Sequence, residues 1–136
     1  AHSSDNTVIV ELPNVKIPAY AIITNVAAVV KTVSDLSTHD VSIQMSATSG
    51  TAADSSISSG TELLGRGVTN TDSSDSTSAQ EIDLKNDLKE VWICRDTVRN
   101  GSSDQYVYIV NGGTSNGTTN STTGTLLVFI DYYGMD

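Results

Sequence analysis

The chain has 136 residues, 38% of them hydrophobic and only 5% aromatic, with a formal net charge of −9 and a single cysteine. That length supports one domain whose core stands without disulfides or a metal, and a lone cysteine excludes an intrachain disulfide and any cysteine-based metal cluster. Seven scattered cations against 16 acidic side chains leave no basic stripe to displace phosphate counterions, so nucleic acid is not expected as a partner. No apolar run approaches the roughly 20 residues of a membrane helix, so no membrane partner is expected either.

Ser and Thr make up 36 of the residues, which favours strands and long polar loops over helices. Residues 1–6, Ala-His-Ser-Ser-Asp-Asn, hold nothing to bury and read as a flexible polar arm, ordered at most against a neighbour. They lack the basic, apolar pattern of a signal peptide; a leader already removed and an Ala1 exposed by loss of an initiator methionine both fit.

From Thr7 to Leu12 the residues Val8, Val10 and Leu12 alternate with Ile9 and Glu11, which predicts a first strand at a sheet edge, stopped by Pro13. Val15 and Ile17 start a second short strand, and Pro18 confines it to an edge or a bend. The alanines between Ala19 and Val33 permit a helix, but Ile22, Ile23, Val26, Val29, Val30 and Val33 are β-branched, which predicts a long strand bulged near Asn25 to Ala28. Asp40 to Thr48 alternates cleanly, with Val41, Ile43, Met45 and Ala47 facing a core and Ser42, Gln44, Ser46 and Thr48 facing water.

Ser49 to Thr61 reads as a long loop, Glu62 to Val68 as a short glycine-broken strand, and Thr69 to Ala79 as an exposed low-complexity loop. Around Leu84 the spacing of Leu84 with Leu88 and of Glu81 with Lys85 allows a helical turn, while a short strand over Gln80 to Leu84 is the favoured reading. Val91 to Thr97 is a strand in which Trp92 anchors the core and Cys94 is a small buried hydrophobe. A turn follows at Arg99 to Asp104, then a strand at Gln105 to Asn111 and a polar loop from Gly112 to Thr123. Between Gly124 and Gly134, Leu126, Val128, Ile130 and Tyr132 share one face while Leu127 and Phe129 share the other with Asp131. With both faces apolar as far as Asp131, this run predicts a central strand, paired on both edges.

About eight strands with no βα alternation give an all-β fold, a jelly-roll-like antiparallel β-sandwich spanning 7–136 behind the arm at 1–6. Its chemistry is sparse. His2 lies in the arm and His39 in a polar turn, and no Gly-x-Ser-x-Gly elbow is present. Gly65-Arg-Gly67 and Gly112-Gly113 lack the spacing of a phosphate or dinucleotide loop. Asp72 and Asp75, with Glu81 and Asp83 beyond, could supply oxygen ligands for calcium, yet the EF-hand glycine and closing glutamate are missing, and solvated loop charges are the plainer reading. Tyr106, Tyr108, Tyr132 and Tyr133 lie on strands where half of each face belongs to the core. No catalytic, cofactor-binding or metal residue is assigned, no cofactor is expected, and the chain reads as a non-enzyme.

The run from Glu62-Leu-Leu-Gly-Arg-Gly-Val68 through Ile82-Asp-Leu84 and Tyr106-Val-Tyr-Ile109 to Thr123-Gly-Thr-Leu-Leu-Val-Phe-Ile-Asp-Tyr-Tyr133 resembles small virion structural proteins of tailed bacteriophages. These are sandwich or jelly-roll modules used for capsid decoration and cementing, or as fibre and tail domains. The resemblance covers the C-terminal half and lies in texture, so no residue role is carried over. It implies a homo-oligomer, with a trimer favoured, assembled in the host cytoplasm and bound to the major capsid protein on the capsid surface, with tyrosine-rich strands filling a subunit interface. The alternative is a receptor- or glycan-binding module of a fibre, with calcium held by loops 49–61 or 69–79. A small secreted hydrolase would require a buried pair of carboxylates.

Overall fold

Runs rich in Val, Ile and Thr crowd a helix and fit a pleated sheet, and extended chain dominates accordingly. The computed structural model describes residues 7–35, 40–53, 55–57, 60–65, 82–84, 88–89, 91–95, 97–111 and 124–134. Within them run nine strands: β1 (Val8–Ile17), β2 (Ile22–Thr32), β3 (Asp40–Ser46), β4 (Thr61–Leu64), β5 (Ile82–Asp83), β6 (Val91–Cys94), β7 (Val98–Arg99), β8 (Gln105–Asn111) and β9 (Thr125–Tyr133). The arm at 1–6, the loops at 69–79 and 112–123, and His39 lie outside the described residues.

Two antiparallel sheets pack into a β-sandwich, as the alternating patterns predict. One runs β1-β8-β3, with β4 and β5 in succession along the far edge of β3. The other is built on β2, which pairs with β9 along one side and with β6 and β7 in succession along the other. The pairing is nested: β1 takes β8, β2 takes β6 and β7, and β3 takes β4 and β5. Between the sheets Ile23, Val26, Ala28 and Val30 of β2 share a core with Val41, Ile43 and Met45 of β3, Val107 of β8 and Trp92 of β6. Trp92 is the anchor its sequence position suggests, 1% exposed, and Cys94 is a buried free thiol.

Four expectations need correction. Pro13 does not stop the first strand, and Val15 and Ile17 do not start another. Five steps along β1, from Glu11 to Lys16, answer two steps along β8, from Tyr108 to Tyr106, so the chain loops out at exposed Pro13 and Asn14 and rejoins the same partner. Asn14 takes a φ of 61°, a left-handed conformation that asparagine tolerates, and an edge strand can afford the missing N–H of proline.

The second correction concerns β3, which has no watery face: every residue from Val41 to Ser46 is buried. Residues 48–53 and 55–57 lie across the outer side of this sheet. Tyr108, fully buried, donates its hydroxyl to Thr48 O at 2.6 Å and accepts from Thr51 N, while Gly50 N donates to the Glu11 carboxylate at 2.7 Å and Val8 N to Ser55 O. Ile57 packs on Val8, Tyr108 and Val110 beneath it. This second, smaller apolar cluster fixes the loop against the outer side of β1 and β8.

Tyr108 is therefore withdrawn from any subunit interface, which is the third correction. The fourth is the position of β9: among the described residues it pairs with β2 alone and forms the margin of its sheet, where a central strand was expected.

Candidate interaction surface

Alternation along β2, β6 and β9 divides their side chains between the core and the outside. Inward go Val26, Ala28 and Val30, Trp92 and Cys94, and Leu126, Val128 and Ile130. Outward, and side by side across the ladders, go Leu127, Val29 and Val91 in one row and Phe129, Ala27 and Ile93 in the next. Nothing among the described residues covers the middle of this face, and Phe129 stands 53% exposed, Val91 46% and Leu127 40%.

The rows that continue this face are polar. Asp131 lies opposite Asn25, whose Nδ2 donates to its carboxylate at 3.3 Å, while Thr24 Oγ1 donates to the Asp131 carbonyl. Beyond them Tyr133, 72% exposed, aligns with Ile22 and Arg99. Lys31 follows Val29 on the same side of β2, and Arg95 follows Ile93 beyond β6, both exposed. Among the described residues, three cations and one carboxylate border the apolar centre.

The sequence expectation had placed Leu127 and Phe129 in the interior. One signal pointed elsewhere: Asp131 shares their face, and a carboxylate in line with two large hydrophobes marks a wetted side. Tyr132 and Tyr133, read as half core, are both exposed at the end of β9, where with Asp131, Ile130 and Thr24 they line a shallow pocket of about 450 Å³.

The acidic candidates separate. Asp72, Asp75 and Glu81 lie outside the described residues, as does His2. Asp83 pairs across the ladder with Asp40, and burial, with the Asp83 carboxylate adding to it, holds the Asp40 carboxyl above its ordinary value of 3.8. Among the described residues no three His, Cys, Asp or Glu side chains converge. Comparison with family models, with curated proteins and with solved structures finds no match for this chain.

Proposed function

We propose that the chain is a non-enzymatic virion structural protein that decorates or cements a phage capsid by binding the major capsid protein, as a homo-oligomer with a trimer favoured. The observation that carries this reading is the open face of β9, β2 and β6, apolar at its centre through Phe129, Leu127, Val91 and Ile93 and bordered by cations. An apolar patch of this kind on a folded surface is a docking surface more often than an accident. Covering it would contribute about 1.5–3 kcal/mol for each large side chain fully buried. Binding only to assembled shell would then hold the shell subunits together by mass action. The nested strand pairing supports a jelly-roll-like description of the sandwich.

Immunogold labelling of particles from the phage that encodes the chain tests the proposal. Label at regular spacing on heads, lost in a phage carrying Phe129→Ser, is the expected result. Particles that carry no label would sink it.

A second reading, a receptor- or glycan-binding fibre module, draws on the pocket of Tyr132, Tyr133, Asp131 and Thr24, where exposed aromatic rings stand beside a carboxylate and a hydroxyl. Label on fibres, together with binding on a glycan array that Tyr133→Ala removes, would favour it.

A further inference from the structure

The turn expected at Arg99 to Asp104 contains an Asn-Gly pair, yet the fold does not use that pair as hairpin turns do. In a two-residue hairpin turn both central residues take a positive φ, which is why Asn-Gly is favoured there. Among the described residues positive φ falls at Asn14, Tyr20 and Lys89 and at Gly50, Gly65 and Gly124, and at neither Asn100 nor Gly101. A Cβ built on Gly101 would meet nothing within 4 Å, so no close approach requires a glycine either. The backbone here has room for a side chain.

Residues 100 to 104 instead clasp a strained turn. Ala21 N donates to Pro18 O across a tight turn whose third residue, Tyr20, holds a φ of 62°, where glycine is the usual occupant. Each residue of that turn is gripped: Pro18 O accepts from Asn100 Nδ2, Ala19 N donates to Asp104 Oδ1 at 3.0 Å, Tyr20 N donates to Gly101 O, and Asn100 N donates to Ala21 O. The Asn100 amide reaches Ile17 O and Ser103 O as well, and the residue is 3% exposed. Its side chain is ringed by acceptors.

Asn-Gly is also the dipeptide in which a chain most readily modifies itself, because no side chain on the second residue crowds its nitrogen. The Gly101 nitrogen attacks Asn100 Cγ and gives up its proton, the Cγ–Nδ2 bond breaks, and ammonia leaves with that proton. Water then opens the cyclic imide at either carbonyl, which restores the N–H of Gly101 and leaves a carboxylate, as aspartate or as isoaspartate with the chain running through Cβ and Cγ. We infer that the native fold holds Asn100 back from this deamidation, and that a chain which reacts while unfolded cannot close the clasp again, so that Asn100-Gly101 makes unfolding one-way. Closing the ring draws Cγ toward Gly101 N, a move the amide cannot make without leaving Ile17 O, Pro18 O and Ser103 O. Afterwards aspartate would set a carboxylate against those three carbonyl oxygens in a buried site, acceptor facing acceptor. Isoaspartate would also lengthen the backbone and carry Gly101 O away from Tyr20 N, releasing the strained turn. The inference stands apart from the virion reading.

Peptide mapping by mass spectrometry on the full chain tests it, reading the exchange of NH for O at Asn100 after incubation at neutral pH. In urea above the unfolding midpoint, conversion should keep pace with that of the synthetic peptide Arg-Asn-Gly-Ser-Ser-Asp. In the folded protein it should be slower by about a hundredfold or more, because only the opened fraction reacts. Once the urea is removed, a brief pulse of protease should spare chains with Asn100 intact and cut those converted there. Asn111-Gly112 and Asn116-Gly117 are followed separately in the same maps, so their conversion is not mistaken for that of Asn100. Gly101→Ala, which the open space around Gly101 admits, should keep the urea midpoint and, by crowding the attacking nitrogen, raise the fraction that refolds after prolonged unfolding. Equal rates of conversion in the folded and unfolded protein would overturn the inference. So would chains converted at Asn100 that survive the protease, or a Gly101→Ala protein that refolds no better than the parent.

Discussion

Asn100 shows how much one buried amide can organise. Its Nδ2 lies 2.8 Å from Pro18 O, 3.0 Å from Ser103 O and 3.4 Å from Ile17 O, and its backbone N donates to Ala21 O, so it ties the end of β1 to the turn before β8. Asn100→Ala leaves those carbonyls without their donor and should cost about 2–3 kcal/mol, read as a fall of roughly 10 °C in Tm. Asp40 tests the opposite case, a group the fold holds uncomfortably. Its folded pKa is raised, so the native state binds the proton more tightly than the unfolded chain, and stability declines as pH rises from 3.8 through the folded pKa. Asp40→Asn should raise the urea midpoint above that window and erase the decline within it, in a comparison of the two proteins from pH 3 to 7. At this scale the sequence was a fair guide to type but not to role: Asn100 read as part of an ordinary Asn-Gly turn. Its partners at residues 17 and 18 come from more than 80 positions away.

Local pattern sufficed for elements whose burial follows from alternation, such as β2, although its bulge falls at Thr24, where the register with β9 slips between Ile23 and Asn25, and not in the expected stretch from Asn25 to Ala28, which pairs without a break. The glycine break after Leu64 was legible too. Gly65 has a φ of 97°, and a Cβ there would stand 2.9 Å from Ser42 Cβ. Gly65→Ala combines strain with a clash against a buried strand, and a loss of about 2 kcal/mol or more in chemical unfolding is expected. Pattern failed where a second layer decides burial. Ser42, Gln44 and Ser46 read as wet because nothing in their own alternation reports the loop folded over them, or the Gln44 Nε2 that donates to Glu62 Oε1 at 2.7 Å. The same limit hid the candidate surface. A strand apolar on both faces looks the same whether it lies inside a sheet or at its margin, and only the partner strands tell the two apart.

The whole molecule is held by distant pairings: Val8 meets Val110, and Ile22 meets Tyr133. Such contacts form only after long loops have closed, so folding in milliseconds to seconds is expected, without the microsecond phase of helical domains. β9 completes the sheet built on β2, and a chain truncated before Thr125 should lose its cooperative unfolding transition by circular dichroism and calorimetry.

The nested wiring also fixes how the protein would carry a load. β1 starts at Val8 beside Val110 and ends at Ile17, and β9 ends at Tyr133 with Gly134 against Pro18, so Val8 and Tyr133 stand at opposite poles. A pull between them runs along β1 and β9, and each strand must shear from its partner with all its hydrogen bonds strained together, because none can be unzipped first. In a single-molecule pulling experiment, handles at Val8 and Tyr133 should meet a much higher rupture force than handles at Ile17 and Tyr133, which share one pole. The sandwich is built as a tie rod, stiff in the direction its terminal strands point.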